Sequence, residues 1–309
     1  MRMKKFGLLV SVFAGMLLLT ACGERKTSSD SDKLQVMTTF YPMYEFTKQV
    51  VGEEGEVELL IPAGTEPHDY EPSAKDLAKI SNADAFVYNS SELETWVPNV
   101  KKNLGENLII EAASTIDLEA GEEDHDHEGE TQGHHHELDP HVWLDPVLAV
   151  KEVENICDQL SKKYPEQKEN FEKNARIYIT ELENLDKEFK EAFEGAKNKT
   201  FVTQHAAFGY LARQYGLTQE AISGVSPDQE PSPSRLAELK HYVEENDVKV
   251  IYFEENASSK VAETLSNETG VELAVLNPLE SLTNKQIEQG ETYLTVMKKN
   301  IESLKKSIQ

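Results

Sequence analysis

Cysteine is nearly missing from this chain: two residues in 309, Cys22 and Cys157. That number excludes a disulfide framework, and it excludes a thiolate-rich zinc site of the finger or ribbon kind. Basic residues are also scarce, with 31 Lys and Arg against 56 Asp and Glu and a formal net charge of -25. Nucleic acid needs a basic footprint to neutralise its phosphates, so a nucleic-acid partner is excluded. Adsorption to anionic lipid by charge is excluded for the same reason. The acidity favours attracting cations, chiefly at low ionic strength. No HExxH motif or comparable metallohydrolase signature occurs.

What remains is a soluble globular composition, 39% hydrophobic and 28% charged, long enough for two domains or one large one. The N-terminus differs from the rest. Arg2, Lys4 and Lys5 precede an apolar run from Phe6 to Thr20, which ends in Leu19-Thr20-Ala21-Cys22. A basic start, a short apolar stretch and small residues before a cysteine form a secretory signal of the bacterial lipoprotein type. Residues 1–21 are therefore expected to be removed as a signal peptide, with Cys22 lipidated as a membrane anchor. Residues 22–33, polar and Ser-rich, read as a tether.

From residue 34, strand and helix patterns alternate. LQVMTTF (34–40), VELLI (57–61), AFVYNS (85–90) and NLIIEAA (107–113) read as strands, with helical stretches between them. Ser73 and Asp76 match a capping box. The second half repeats the rhythm with TFVTQ (200–204), AISGV (221–225), VKVIYFEE (248–255) and VELAVLN (271–277), and a terminal helix from about Asn284. Such alternation predicts parallel sheets with helices on both faces. Glu71-Pro72-Ser73 with Leu77 and Ile80 is echoed by Glu230-Pro231-Ser232 with Leu236 and Leu239, which fits two similar lobes.

Between the halves, apolar residues Phe171, Ala175, Tyr178, Leu182, Leu185 and Phe189 fall in steps of four and three, a seam on one helix face. The pattern runs from about Glu166 to Phe193, and a helix of roughly 28 residues spans about 42 Å. It predicts a strut linking two lobes; a coiled-coil dimer segment is the rival, weakened by having barely four heptads. The expected division is an N-terminal lobe over 34–164, a linking helix over 165–195 and a C-terminal lobe over 196–309. Residues 118–137 interrupt the first lobe with an acidic, His-rich tract and no apolar face.

Four polar side chains stand at or beyond the ends of strands: His68 in TEPHDYEPS, His141 in LDPHVWLDP, His205 in FVTQHAAFGYL and Glu280 in LNPLESL. In open α/β sheets, ligands bind outside the carboxyl ends of the strands. Three imidazoles and a carboxylate suit Zn2+, whereas Mn2+ prefers oxygen-rich shells. Glu254, Glu255 or a water stand as alternatives for the fourth ligand. Asp69, Asp139 and Asp145 are candidates to hold the second ring nitrogen of a ligating histidine. His241, on a helix, is assigned nothing. His125, His127, His134, His135 and His136 form a candidate auxiliary metal loop.

The stretches TEPHDYEPS, DPHVWLDP, TFVTQHAAFGYLARQYG, SPDQEPSPSRL, ENASSKVAETL and LNPLESL together resemble zinc-binding lipoproteins of the AdcA/ZnuA type, over essentially the whole mature chain. These are substrate-binding components of ABC importers, in a cluster that also holds manganese receptors and lipoprotein adhesins. The resemblance implies two (β/α) lobes joined by a rigid helix, with the metal in the cleft. It implies that His68, His141 and His205 bind the metal, with an acidic residue near Glu280 as fourth ligand or its neighbour. Manganese relatives place a carboxylate where this chain has His205. Some relatives carry a further C-terminal zinc-binding domain, which is not expected in this chain. The expected function is extracytoplasmic capture of Zn2+ by a monomer and delivery to a membrane permease, without catalysis. The alternatives are a manganese receptor or adhesin of the same family, and a zinc hydrolase.

Overall fold

The computed structural model describes residues 33–105, 107–121, 138–227 and 231–308. In chain order these form β1 (Leu34–Thr38), α1 (Tyr41–Val51), β2 (Gly55–Leu59), α2 (Ala74–Asn82), β3 (Ala85–Tyr88), α3 (Val97–Lys101), β4 (Leu108–Glu111), α4 (Pro146–Lys163) and α5 (Lys168–Phe193). There follow β5 (Thr200–Thr203), α6 (Gly209–Gln214), β6 (Thr218–Ala221), α7 (Pro233–Glu245), β7 (Val250–Phe253), α8 (Lys260–Thr269), β8 (Glu272–Val275), α9 (Asn284–Glu288) and α10 (Tyr293–Leu304).

The strands make two four-stranded parallel sheets, ordered β2-β1-β3-β4 and β6-β5-β7-β8. The order is the same in both lobes, so the echo between residues 71–80 and 230–239 reflects a repeated architecture. Ser73 caps α2 through a capping box with Asp76, and Ser232 caps α7 by accepting from the Arg235 amide. Both faces of each sheet are covered, as parallel sheets require. Along β1, Val36 turns to the core shared by both lobes while Met37 faces a cluster under α2 with Phe86, Tyr88 and Trp96. Along β7, Val250 and Tyr252 face the shared core and Ile251 faces a cluster with Val202, Leu239 and Leu265. The period-two alternation of a strand is what sends neighbours to opposite faces.

α5 is 26 residues long, about 39 Å at 1.5 Å per residue. Its seam is buried as the spacing predicts, with Phe193 added at the end. It packs on α1 and α4 from the first lobe and on α10, so the apolar face is satisfied within the chain and a coiled-coil partner is unnecessary. No helix among the described residues is long and apolar enough to cross a membrane.

Two expectations need correction. The terminal helix is two helices, α9 and α10, because Gly290 adopts φ 72 and Thr292 starts a new capping box with Thr295. The strand expected at AISGV (221–225) is displaced: β6 lies earlier, over Thr218–Ala221, and shares only Ala221 with it. Beyond it Ile222 N and Ser223 N still donate to Thr203 O and Gln204 O, both at 2.9 Å, but β5 ends at Thr203 and the chain bends from residue 222, so the strand goes no further.

Candidate metal centre

The sheets deliver their loops to one cleft. β2 runs into a turn in which Thr65 N donates to Pro62 O and Tyr70 N to Pro67 O, and this turn carries His68. Gly64 in that loop has φ 74, a left-handed conformation that glycine adopts without a Cβ penalty. Its amide donates across the cleft to Ser281 Oγ at 2.7 Å. His141 closes the stub Asp139-Pro140-His141 just before a 3-10 turn over Val142–Leu144. Asn89 at the end of β3 holds that stub by donating from Nδ2 to Pro140 O at 2.9 Å.

His205 follows β5, and its carbonyl accepts from Thr203 Oγ1 at 2.7 Å and Gln219 Nε2 at 3.1 Å. Glu280 comes from the turn after β8. There Leu279, fully buried, adopts φ 59, a strained conformation for a side chain of its shape. The strain is held by Asn277 Oδ1, which accepts from Leu279 N at 2.7 Å, and by Asn300, which clasps the Asn277 backbone through both Oδ1 and Nδ2. Trp143 Nε1 donates to Pro278 O at 2.8 Å, tying this turn to the His141 stub.

The result is a cage of four donors. Nε2 of His68 lies 3.2 Å from Nε2 of His141, which lies 3.4 Å from Nε2 of His205. Glu280 Oε1 lies 3.4, 3.3 and 3.1 Å from Nε2 of His68, His141 and His205. A tetrahedral ion with donors about 2.0–2.1 Å away separates those donors by about 3.3–3.4 Å. Five of the six edges are already close to that length, and all four donors lie within 4.8 Å of one another. The group His68, His141, His205 and Glu280 is the one cluster of potential metal ligands among the described residues.

Two of the rings are held from behind. Asp139 Oδ1 accepts from Nδ1 of His141 at 2.7 Å and from its backbone amide at 3.0 Å. Glu254 Oε1 sits 2.5 Å from Nδ1 of His205. A carboxylate on Nδ1 fixes the tautomer that presents the Nε2 lone pair to a cation. Glu254 therefore stands outside the cage. Glu255 points elsewhere, accepting from Gln286 Nε2 at 3.1 Å. Asp145 caps α4 through the Val147 amide, and Asp69 is exposed.

Burial opposes charge on every one of these groups, yet attraction from their neighbours wins at three of the four. Burial would lower His205, but Glu254 and Glu280 outweigh it and hold its pKa well above the ordinary imidazole value. Burial would raise Glu280, but His205 and the three ring hydrogen bonds hold it well below the carboxylate range. At His141, burial is offset by the hydrogen bonds the ring donates to Asp139 and Glu280, and the pKa rises. His68 has less support, and burial lowers it. Glu66 escaped the sequence reading although it stands two residues before His68 in TEPHDY. Burial, and then the charge of Glu280, push its carboxyl up to about 9, and its Oε1 accepts from the His68 amide at 3.2 Å. His241 lies on the exposed side of α7. The tract with His125, His127, His134, His135 and His136, and Cys22, lie outside the described residues.

Residues 36–307 match a family described as "Zinc-uptake complex component A periplasmic", ZnuA. The chain belongs to the ZnuA family. Among curated proteins it is 52% identical to the high-affinity zinc uptake system protein ZnuA of Bacillus subtilis, over 99% of this chain and 98% of that protein. It is 56% identical to the zinc-binding lipoprotein AdcA of Streptococcus pneumoniae, over 99% of this chain but 61% of AdcA. The chain thus spans about three fifths of the length of the AdcA relatives it matches. Among solved structures, the Zn(II)-bound ZnuA-like domain of Streptococcus pneumoniae AdcA superposes with a TM-score of 0.77 at 55% identity, covering 89% of this chain and 98% of that one. Two parallel-sheet lobes around a His/Glu cluster are the ZnuA-type α/β fold. The family's description names transport, not catalysis.

Proposed function

We propose that this ZnuA-family protein captures Zn2+ outside the cytoplasm and delivers it to the membrane permease of an ABC importer. The observation that carries the reading is the spacing of the four donors, 3.1–3.4 Å along five of the six edges of the cage, which fits tetrahedral Zn2+. His68, His141, His205 and Glu280 are its ligands. Three imidazoles favour zinc over manganese, and a shell closed by four protein groups leaves no position for a catalytic water. The protein is therefore a receptor and not an enzyme. The relatives' names, a zinc uptake protein and a zinc-binding lipoprotein, agree with this.

The same reading assigns residues 1–21 to a signal peptide, lipidated Cys22 to the membrane anchor and 22–33 to a tether. The lobes over 34–164 and 196–309, linked by 165–195, work as one monomer. The histidines of the 118–137 tract collect Zn2+ and pass it inward to the preformed cage, which needs no ordering on binding and so holds the metal more tightly.

Metal content of the mature protein tests the function. One tightly held Zn2+ per chain, with Mn2+ failing to displace it, is the expected result. A chain that holds no zinc, or prefers manganese, overturns it.

A further inference from the structure

One contact crosses from the second lobe to the stub that carries His141. Tyr210, in α6 just beyond the His205 loop, is buried, and its ring packs with Ala113 and Val142 of the first lobe. Its hydroxyl is fully used. It donates to Asp139 O at 2.9 Å and accepts from Glu119 N at 2.8 Å. Those two residues are themselves paired, Asp139 N donating to Glu119 O at 2.8 Å, beside the antiparallel bridge of Ala120 with Leu138.

The same helix reinforces the hold. Arg213 pairs with Glu119 at 2.9 Å and lies over the Tyr210 ring at 4.7 Å. Gly209 approaches so closely that a Cβ there would meet Asp139 Oδ2 at 3.0 Å. Asp139 in turn orients His141 through Nδ1 and the backbone amide. A continuous chain thus runs from α6 through one hydroxyl to the paired backbones of Glu119 and Asp139 and on to a ring of the cage.

We infer that Tyr210 is a positioning residue for metal retention: its hydroxyl clasps the Asp139–His141 stub to the second lobe, and metal leaves only after this clasp opens. The inference rests on the zinc reading above. The clasp adds no ligand. It makes the position of His141, a first-lobe group, depend on the second lobe, so that separating the lobes withdraws one imidazole from the cage. A buried hydroxyl with two backbone partners suits this role, because removing it leaves both backbone groups unpaired.

The test is zinc release from the full mature chain, followed after rapid mixing with excess chelator. Tyr210→Phe is expected to release Zn2+ roughly tenfold faster, with association within about twofold of the wild type, the scale found for groups that orient a metal's ligands. Tyr164→Phe removes another tyrosine hydroxyl bonded to a backbone carbonyl, that of Asp84 at 3.0 Å, far from the cage, and should leave release unchanged. In a His141→Ala background, Tyr210→Phe should add nothing, because the effect acts through that ring. Should Tyr210→Phe fold poorly, Gly209→Ala presses on the same stub and should also speed release. Release within about twofold of wild type in Tyr210→Phe, or an equal added effect without His141, overturns the clasp while leaving the zinc site intact. A wild-type chain that retains no zinc sinks the function first, and the clasp with it.

Discussion

Glu254 Oε1 lies 2.5 Å from Nδ1 of His205, on the edge of the ring that faces away from the cage. Asp139 does the same for His141 at 2.7 Å. Each lobe therefore contributes one imidazole whose orientation and tautomer are set by its own carboxylate. The two devices come from unlike places: Asp139 from the same short stub as its histidine, Glu254 from just beyond the neighbouring strand β7. His68 is the most open of the four, its side chain about 10% exposed, on a loop fastened across the cleft by Gly64 and Ser281.

Weakening either outer carboxylate should loosen the metal without abolishing the site. Glu254→Gln and Asp139→Asn keep size and an acceptor oxygen but lose the charge that raises ring basicity. Zinc affinity is expected to fall roughly 10–100-fold in each, measured by competition with a chelating dye. Wild-type affinity in both variants would mean the rings are positioned by packing alone.

Removal of a cage ring should cost more. His205→Ala is expected to lower zinc affinity by more than roughly 100-fold, beyond the range for outer partners. His241→Ala, on an exposed position of α7, should leave it unchanged. Equal effects of the two substitutions would dissolve the assignment of the cage.

Zinc has to displace a proton. Burial opposes charge on His205, but Glu254 and Glu280 overcome it, so in the metal-free cage the ring stays protonated above the ordinary histidine range. Glu280, held low by that ring, stays ionised. In metal-free protein the His205 contribution to stability is complete below the ordinary histidine value and is lost as pH rises through the raised one. The Glu280 contribution is present above the ordinary carboxylate value and is lost as pH falls through the depressed one. Imidazole binds metal only when neutral, so affinity should fall as pH drops, beginning above ~6.5. Calorimetry at neutral pH in buffers of different ionisation enthalpy should report about one proton released per Zn2+. Binding that releases none, with affinity flat from pH 8 to 6, would contradict three histidine ligands.

Deleting residues 121–136 separates the auxiliary histidines from the cage. Uptake at scarce zinc should slow, while equilibrium affinity of the central site stays as it was. Unchanged uptake under zinc limitation would remove any role for the tract.

Sequence periodicity exposed what is local. The α5 seam from Phe171 to Phe189 was legible because a helix face repeats every three to four residues, and each of these side chains is buried. The four cage residues were legible because each falls in a loop at or beyond the end of a strand, where parallel sheets gather their ligands. Glu254 was legible only as an acidic residue at a strand end; that it faces the back of His205 depends on β7 lying beside β5, which no local pattern encodes. Tyr210 was illegible for the same reason, its partners Glu119 and Asp139 being 91 and 71 residues away in sequence. The break between α9 and α10 was written in Gly290 and Thr292, but an apolar period on both sides hid it.

Glu152 in α4 offers a test of the first lobe that does not involve metal. It is fully buried, and neither carboxylate oxygen has a hydrogen-bond partner among the described residues. Burial, and then the charge of Glu94, raise its pKa well above the usual carboxylate value. Glu94 differs: Thr39 Oγ1 and the amides of Asn89 and Ser90 donate to it, which limits its rise to about 7. The fold thus favours the neutral acid at Glu152, while the unfolded chain carries it ionised at pH 7. Folding takes up that proton, so its stabilising contribution is complete below about 4.5 and is lost as pH rises toward the folded pKa. Glu152→Gln mimics the neutral acid and carries no such linkage. The metal-free variant should be more stable than wild type at pH 7 by up to about 3 kcal/mol, the free energy of taking up a proton roughly two and a half pH units above the ordinary carboxyl value. The difference should shrink toward zero as pH approaches about 4.5. Thermal melts of both proteins across that range decide it, and a gap that widens with acidity would mean Glu152 is ionised in the fold.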